Sequence, residues 1–409
     1  MLSRAGLFLM AVLSSWTAYG CDDARIRQLT DDIPALMLNA KVAGMNVALI
    51  CDGQPFWQKS FGLANKALGK SLHIDDVFEA ASNGKMITAY LVQLLASRGL
   101  LSLAEEVSDP RLNAEACGSP TVRELLSHTA GLSNDITVEK FVTDCEQKGN
   151  FSYAGQGYLV IQGLLERKTG MSIGALFAKE VFEPLEMTAT TFDSLPPGTL
   201  VSGHGDLVLG FVSRRASDQV VNVTGYSLLT LFAALGALAY LLARNRTWKL
   251  KVFITMATLV LFLVGAVAVL SQVMVSVEAG NRANDLASTL KTNVGDLANF
   301  VVELLEPSQL DPSRIDELFV PIVQVNAVTF WGSGFGIDMA GGLPTLWHWG
   351  ANPGFQSLVV MEPETANAVV VLTNTGGLMD YFSEVRGGHN AAKLVARIAL
   401  GTRGHWDIN

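Results

Sequence analysis

The run Ala81-Ser82-Asn83-Gly84-Lys85 leads directly into an apolar helix predicted over Met86–Ala96. Residues three apart share a helix face, so the Ser82 hydroxyl and the Lys85 amine can meet. A serine needs a base to become a nucleophile. A lysine partly buried at a helix start loses enough proton affinity to act as one. Alone the pattern is weak, since Ser-x-x-Lys turns up about once by chance in a chain of this size. A second copy, Ser288-Thr289-Leu290-Lys291, lies in a polar stretch with no apolar helix directly behind it and reads as a decoy.

Ser82 rises above chance through three further blocks that come after it in a set order. Leu125-Leu126-Ser127-His128-Thr129-Ala130-Gly131-Leu132 comes first, with His128 read as a loop histidine that satisfies backbone groups. Phe151-Ser152-Tyr153-Ala154-Gly155-Gln156-Gly157-Tyr158 then precedes another apolar helix, and a tyrosine there can relay a proton to a leaving group. Trp347-His348-Trp349-Gly350-Ala351-Asn352-Pro353-Gly354 ends a strand, where Gly350 lets a substrate backbone approach the edge. Strand alternation puts Trp347 and Trp349 on the face opposite His348.

The surrounding pattern sets the architecture. Met45–Cys51 and Pro55–Phe61 are strand-like runs around Asp52-Gly53, a strong hairpin signal. Strands are expected again over Gly332–Met339, Leu346–Trp349, Phe355–Met361 and Ala368–Asn374, with a closing helix near Asp380–Leu400. The middle is helical in period over Ser82–Arg98, Thr121–Ser127, Gln156–Thr169, Ile173–Val181 and Val294–Leu305. An antiparallel sheet is thus built from the two chain ends, with a helical domain inserted between them.

With these motifs in order, the chain resembles the serine β-lactamase-like family, which includes class C β-lactamases, D-Ala-D-Ala peptidases, D-aminopeptidases and related esterases. The resemblance rests on Ser82-x-x-Lys85, the run at 125–132, Tyr153 in Phe-Ser-Tyr-Ala-Gly, Glu183-Pro184-Leu185-Glu186-Met187, and His348-Trp349-Gly350. It implies an α+β fold: an α/β sandwich with an antiparallel sheet plus an inserted all-helical domain, like that of β-lactamases and penicillin-binding proteins. It also implies roles: Ser82 as acylated nucleophile, Lys85 as its base, Tyr153 as proton carrier, and His348 in the place of the strand-motif lysine. The backbone N–H groups of Ser82 and Ala351 would form the oxyanion hole, such donors being worth about 3–4 kcal/mol each. Gly155, Gly350 and Ala351 would line the substrate. Two departures bear on substrate. Gly155 stands where the family often has the asparagine of Tyr-x-Asn, and His348 removes a permanent cation for a β-lactam carboxylate.

Composition places the enzyme. Mean hydropathy is +0.32, with 49% hydrophobic and 16% charged residues, against roughly 25% charged in soluble chains. Disorder is excluded, and the apolar excess is local. Arg4, a short apolar run and Ala18-Tyr19-Gly20 read as a secretory signal over 1–20, whether cleaved or kept as an anchor. Cys21 directly after it also permits lipidation, although Ala18 stands where such signals usually carry Leu. Gln219–Ala243 and Val252–Val277 hold 25 and 26 residues without charge, each enough to span about 30 Å as a helix. Arg244, Arg246, Lys249 and Lys251 lie between them with no acid, so a two-helix transmembrane hairpin with a cytoplasmic loop is expected over 219–277. The hydrolase domain would then comprise 21–218 and 278–409. The net charge of −9 argues against nucleic acid as a partner. Cys21, Cys51, Cys117 and Cys145 allow three pairings; Cys117–Cys145 is preferred because both lie in loop-like segments. No C-x-x-C or H-E-x-x-H spacing occurs, so neither metal nor cofactor is expected.

The expected protein is a membrane-anchored serine hydrolase at the bacterial inner membrane, with its catalytic domain in the periplasm and the bilayer as a partner. It forms an acyl-enzyme on Ser82 and acts as a peptidase or amidase on D-amino-acid-containing peptides or acylated amino-acid prodrugs. A β-lactamase or esterase of the same family is one alternative. A non-catalytic penicillin-binding-like sensor, motivated by Gly155, is the other.

Overall fold

The computed structural model describes residues 21–112, 117–141, 143–206, 256, 274–277, 284–376 and 388–408. Its centre is an antiparallel sheet drawn from both chain ends. The N-terminal part supplies β1 (Gly44–Cys51), β2 (Gln54–Asn65) and β3 (Lys70–Ser71). The C-terminal part supplies β8 (Val323–Gln324), β9 (Thr329–Trp331), β10 (Gly336–Asp338), β11 (Thr345–Asn352), β12 (Phe355–Glu362) and β13 (Asn367–Thr373). The order is β3-β2-β1-β13-β12-β11-β10-β9-β8, so the first and last strands meet in the middle, with Met45 opposite Thr373 and Ile50 opposite Ala368. Asp52 (φ 49°) and Gly53 (φ 72°) turn the β1–β2 hairpin in the left-handed region that type I′ turns require.

The central strands β1 and β12 are buried throughout and mostly apolar because both faces are covered. Along β13, Val369 and Val371 enter one core while Val370 and Leu372 enter the other. The first core is closed by α1 (Asp23–Ala40) and α8 (Gly388–Leu400), through Leu29, Ile33, Val395 and Ala396. Helix α1 has no counterpart in the sequence expectations. The second core receives α2 (Gly84–Ser97), α3 (Val122–Leu126), α4 (Gly155–Thr169), α5 (Ile173–Phe177) and α6 (Val294–Leu305). A π-helical turn over Ala178–Phe182 continues α5, and α7 (Pro312–Leu318) leads back to the sheet. The helical insertion between sheet halves is as expected from the periodicity. Helix α3 is opened by a capping box between Thr121 and Glu124.

The transmembrane hairpin does not stand. Among the described residues, no helix is long and apolar enough to cross a membrane. Met274–Val277, taken as the end of the second span, is instead strand β6, paired antiparallel with β5 (Gly203–Asp206). That two-stranded ribbon meets the chain just past β13, where His204 N–H donates to the carbonyl of Asn374 at 2.9 Å. An apolar run rich in β-branched residues looks alike as a span or as a strand when only hydropathy is counted. The rest of 219–277, apart from Met256, and the signal segment 1–20 lie outside the described residues.

Both cysteine pairs are bonded: Cys117–Cys145, as preferred, and Cys21–Cys51. The second ties the start of α1 to the end of β1 and commits the Cys21 sulfur, which leaves none for a lipid thioether.

Candidate active site

The strand β4 (Phe78–Ala81) runs into α2 through a sharp corner. Ala81 sits at φ 50° there, a strained position for a residue with a Cβ. The corner places Ser82 at the rim of the core, 9% exposed, and Lys85 inside it. The Lys85 amine donates to Ser82 Oγ at 3.0 Å and to the Ala287 carbonyl at 2.5 Å. Ser82 Oγ lies 3.3 Å from the same carbonyl. Burial brings the Lys85 pKa down to about 7, against a smaller opposing pull from Asp285.

Tyr153 approaches from the segment before α4. The Lys85 amine stands 5.2 Å from its ring centre and 5.3 Å from that of Tyr158. The Tyr153 ring sits among His128 (4.4 Å between centroids), Trp349 (5.3 Å), Trp331 (5.8 Å) and His348 (6.2 Å). Its hydroxyl is buried and has no hydrogen-bond partner among the described residues. Burial pushes the phenol pKa upward, while the nearby Ser82 hydroxyl favours the phenolate slightly. His128 holds this segment as a loop histidine would: its Nδ1 accepts from Ala154 N–H at 3.0 Å, and its carbonyl accepts from Ser152 N–H at 2.9 Å.

His348 is fully buried on β11. Its Nδ1 lies 2.7 Å from the Trp349 carbonyl, and a carbonyl can only accept, so Nδ1 carries the proton. Burial and the neighbouring Lys85 lower its pKa to about 3, so the ring is neutral and its Nε2 is a bare acceptor. That Nε2 is buried without a partner among the described residues.

β11 docks tightly on the Ser82 corner. A Cβ at Gly350 would lie 2.0 Å from the Ala80 carbonyl and 2.4 Å from Ser357 Oγ, so only glycine fits. Ser357 Oγ donates to the Ala80 carbonyl at 2.9 Å and accepts from Asn83 Nδ2 at 2.7 Å. Asn352 Nδ2 donates to Glu79 at 2.6 Å and to the Ser288 carbonyl at 3.0 Å. Ala351 lies between Gly350 and Asn352 on this same strand, opposite Gln356. Both tryptophans pack on the core under α1 and α8, as alternation requires: Trp347 is buried within it, and Trp349 packs at its edge, where it also reaches the Tyr153 ring.

Gly155 N–H donates to Asn134 Oδ1 at 3.0 Å, and a Cβ at Gly155 would meet that oxygen at 3.0 Å and Ile136 Cγ2 at 2.7 Å. A side-chain amide therefore stands beside the position where one was missing from the motif, supplied by a different loop. The second Ser-x-x-Lys is a structural piece. Leu290–Thr292 forms β7 on β4, and the buried Lys291 amine donates to the Thr289 carbonyl at 2.9 Å. The Ala287 carbonyl was invisible in the sequence, because a backbone acceptor has no residue-type signature.

A serine beside a lysine whose pKa falls to about 7, a buried tyrosine and a glycine-edged strand have the chemistry that acyl transfer needs. The family model described as Beta-lactamase matches residues 23–392. The chain belongs to the Beta-lactamase family. This Beta-lactamase family chain is 29% identical over 172 residues to penicillin-binding protein 4 of Amycolatopsis lactamdurans, covering 37% of the chain and 45% of that protein. It is 28% identical over 160 residues to penicillin-binding protein 4* of Bacillus subtilis, covering 34% and 35%. The matched segments thus span less than half the length of these curated relatives. Among solved structures, D-amino acid amidase from Ochrobactrum anthropi has a TM-score of 0.65 at 18% identity over 91% of this chain and 98% of that one. D-alanine carboxypeptidase AmpC from Burkholderia cenocepacia has a TM-score of 0.61 at 15% identity over 93% and 99%. These likenesses establish the shared fold.

Proposed function

We propose that this Beta-lactamase family chain forms an acyl-enzyme on Ser82 and cleaves the amide of a D-configured residue or of an acylated amino acid. The observation that carries the reading is the buried Lys85 amine, 3.0 Å from Ser82 Oγ, with a pKa near 7. A neutral amine takes the Ser82 proton as Oγ attacks the acyl carbon. Tyr153, a phenol at rest, passes a proton to the departing amine, and water then releases the acyl group. The N–H groups of Ser82 and Ala351 receive the oxyanion, while Gly155 and Gly350 let Asn134, Ile136, the Ala80 carbonyl and Ser357 pack closely around the site.

His348 narrows the substrate class. Its bare Nε2 offers an acceptor where a strand lysine would offer a cation, which favours an amide N–H or ammonium over a carboxylate. The fold shared with a D-amino acid amidase supports the same direction. The two disulfides support an oxidising, extracytoplasmic compartment.

The test uses the purified protein with a fluorophosphonate probe, and then a panel of D- and L-aminoacyl amides, D-peptides with free carboxylates and a penicillin. Wild type takes up the probe and Ser82→Ala does not. Equal labelling of the two, or no labelling of folded wild type, would sink the acyl-enzyme. Faster turnover of free carboxylates than of amides would sink the role given to His348.

A further inference from the structure

The Ala287 carbonyl is the atom on which the Lys85 amine and the Ser82 hydroxyl converge, at 2.5 and 3.3 Å. Its place is set by the turn that carries it. Ser288 N–H donates to Asp285 Oδ1 at 2.6 Å, and the Ser288 hydroxyl donates to Oδ2 at 3.1 Å. The Thr289 hydroxyl closes the same turn from below, donating to the Asp285 carbonyl at 2.8 Å. Gln162 holds the outer side, donating to the Asn284 carbonyl and accepting from Leu286 N–H, each at 3.2 Å. The Asp285 carboxylate is thereby fixed two residues from the carbonyl that both reactive groups touch.

We propose that Asp285 is a positioning residue of the Ser82–Lys85 pair: its side chain closes the turn that holds the Ala287 carbonyl on the Lys85 amine, and the same turn keeps its negative charge two residues from that carbonyl. The assignment rests on Ser82 and Lys85 acting as nucleophile and base. One amine N–H committed to Ala287 restricts the amine's rotation, so the lone pair can meet the Ser82 proton. The charge opposes the burial that strips Lys85 of its proton. Among the described residues, the Tyr153 and Tyr158 rings also face the amine, and the neutral His128 and His348 lie near it. Asp285 is therefore the anionic counterweight in the setting of Lys85. It also gives Ser288, half of the second Ser-x-x-Lys, a task.

The experiment tracks the rate of fluorophosphonate labelling of Ser82 against pH, so it needs no known substrate. In Asp285→Asn, which keeps a turn-closing oxygen, the acid limb moves to lower pH. Labelling at one unit below the wild-type midpoint at least about doubles relative to the plateau. Asp285→Glu keeps the charge and the limb while its plateau falls. Ser288→Ala loses one turn bond and also keeps the limb. Should Asp285→Asn not fold, Asp285→Ser carries the same expectation. A limb that stays put or moves upward in the uncharged variants overturns the proposal, as does an equal shift in Asp285→Glu or Ser288→Ala. Labelled wild type with an unmoved limb refutes Asp285 alone; folded wild type without any labelling refutes the acyl-enzyme and Asp285 together.

Discussion

Burial of the Lys85 amine acts on activity and on stability in opposite directions. In the unfolded chain a lysine titrates near 10.4, and in the fold Lys85 titrates near 7. Between these values the unfolded state binds a proton that the folded state does not, so this group makes stability rise with pH across that window. Its cost is fully present below about pH 7 and is relieved as pH climbs through 10. Lys85→Met should therefore lose Ser82 labelling by at least about 100-fold. Its stability relative to wild type should be greatest at or below pH 7 and should decline toward pH 10, as read from denaturation midpoints at several pH values. Gly350 gives a second residue-scale test. Gly350→Ala must drive a Cβ into the Ala80 carbonyl, and overpacking of this kind costs about 1–3 kcal/mol, with Ser82 labelling falling alongside the melting temperature. Ser82, Lys85 and Tyr153 were legible because their spacing and order carry information. Asp285 and Asn134 were not, since a single polar loop residue looks like any other until the chain has folded around it.

At the scale of elements, β12 fastens the Ser82 corner through one hydroxyl. Ser357 both donates to Ala80 and accepts from Asn83. Ser357→Ala leaves the buried Asn83 Nδ2 without this acceptor and the Ala80 carbonyl with only the Asn83 backbone N–H, at a cost of about 1–3 kcal/mol. Urea unfolding should register that loss, and Ser82 labelling should slow as the corner loosens. Long elements with strong periodicity were read closely: α6 runs over the expected Val294–Leu305, and α2 and α4 begin and end within a few residues of expectation. Short ones were harder. β10 occupies only Gly336–Asp338 of a longer expected strand, and α5 gives way to a π-helical turn where Val181 and Phe182 enter the core. The decoy at Ser288 failed to be helical because Leu290–Thr292 pairs with β4, a contact between segments far apart in the chain.

At the scale of the molecule, the two disulfides cross-link segments that also feed the cores. Cys117–Cys145 closes a loop of sequence separation 28 that leads to Tyr153. Replacing both of these cysteines by serine should cost about 2–4 kcal/mol, measured as a denaturation midpoint below that of oxidised wild type. The sequence by itself determined the sheet from the chain ends, the helical insertion and the ordered Ser82, Lys85, Tyr153 and His348, because periodicity and motif spacing are local properties that survive without coordinates. It could not decide whether Met274–Val277 ends a membrane span or forms a strand. Hydropathy reports the tendency to leave water and not the partner, and pairing of Met274–Val277 with Gly203–Asp206 supplied that partner. Nor could it fix proton affinities. The neutral His348 and the weakened Lys85 base come from burial and from neighbours on other elements, and those exist only once the chain has closed on itself.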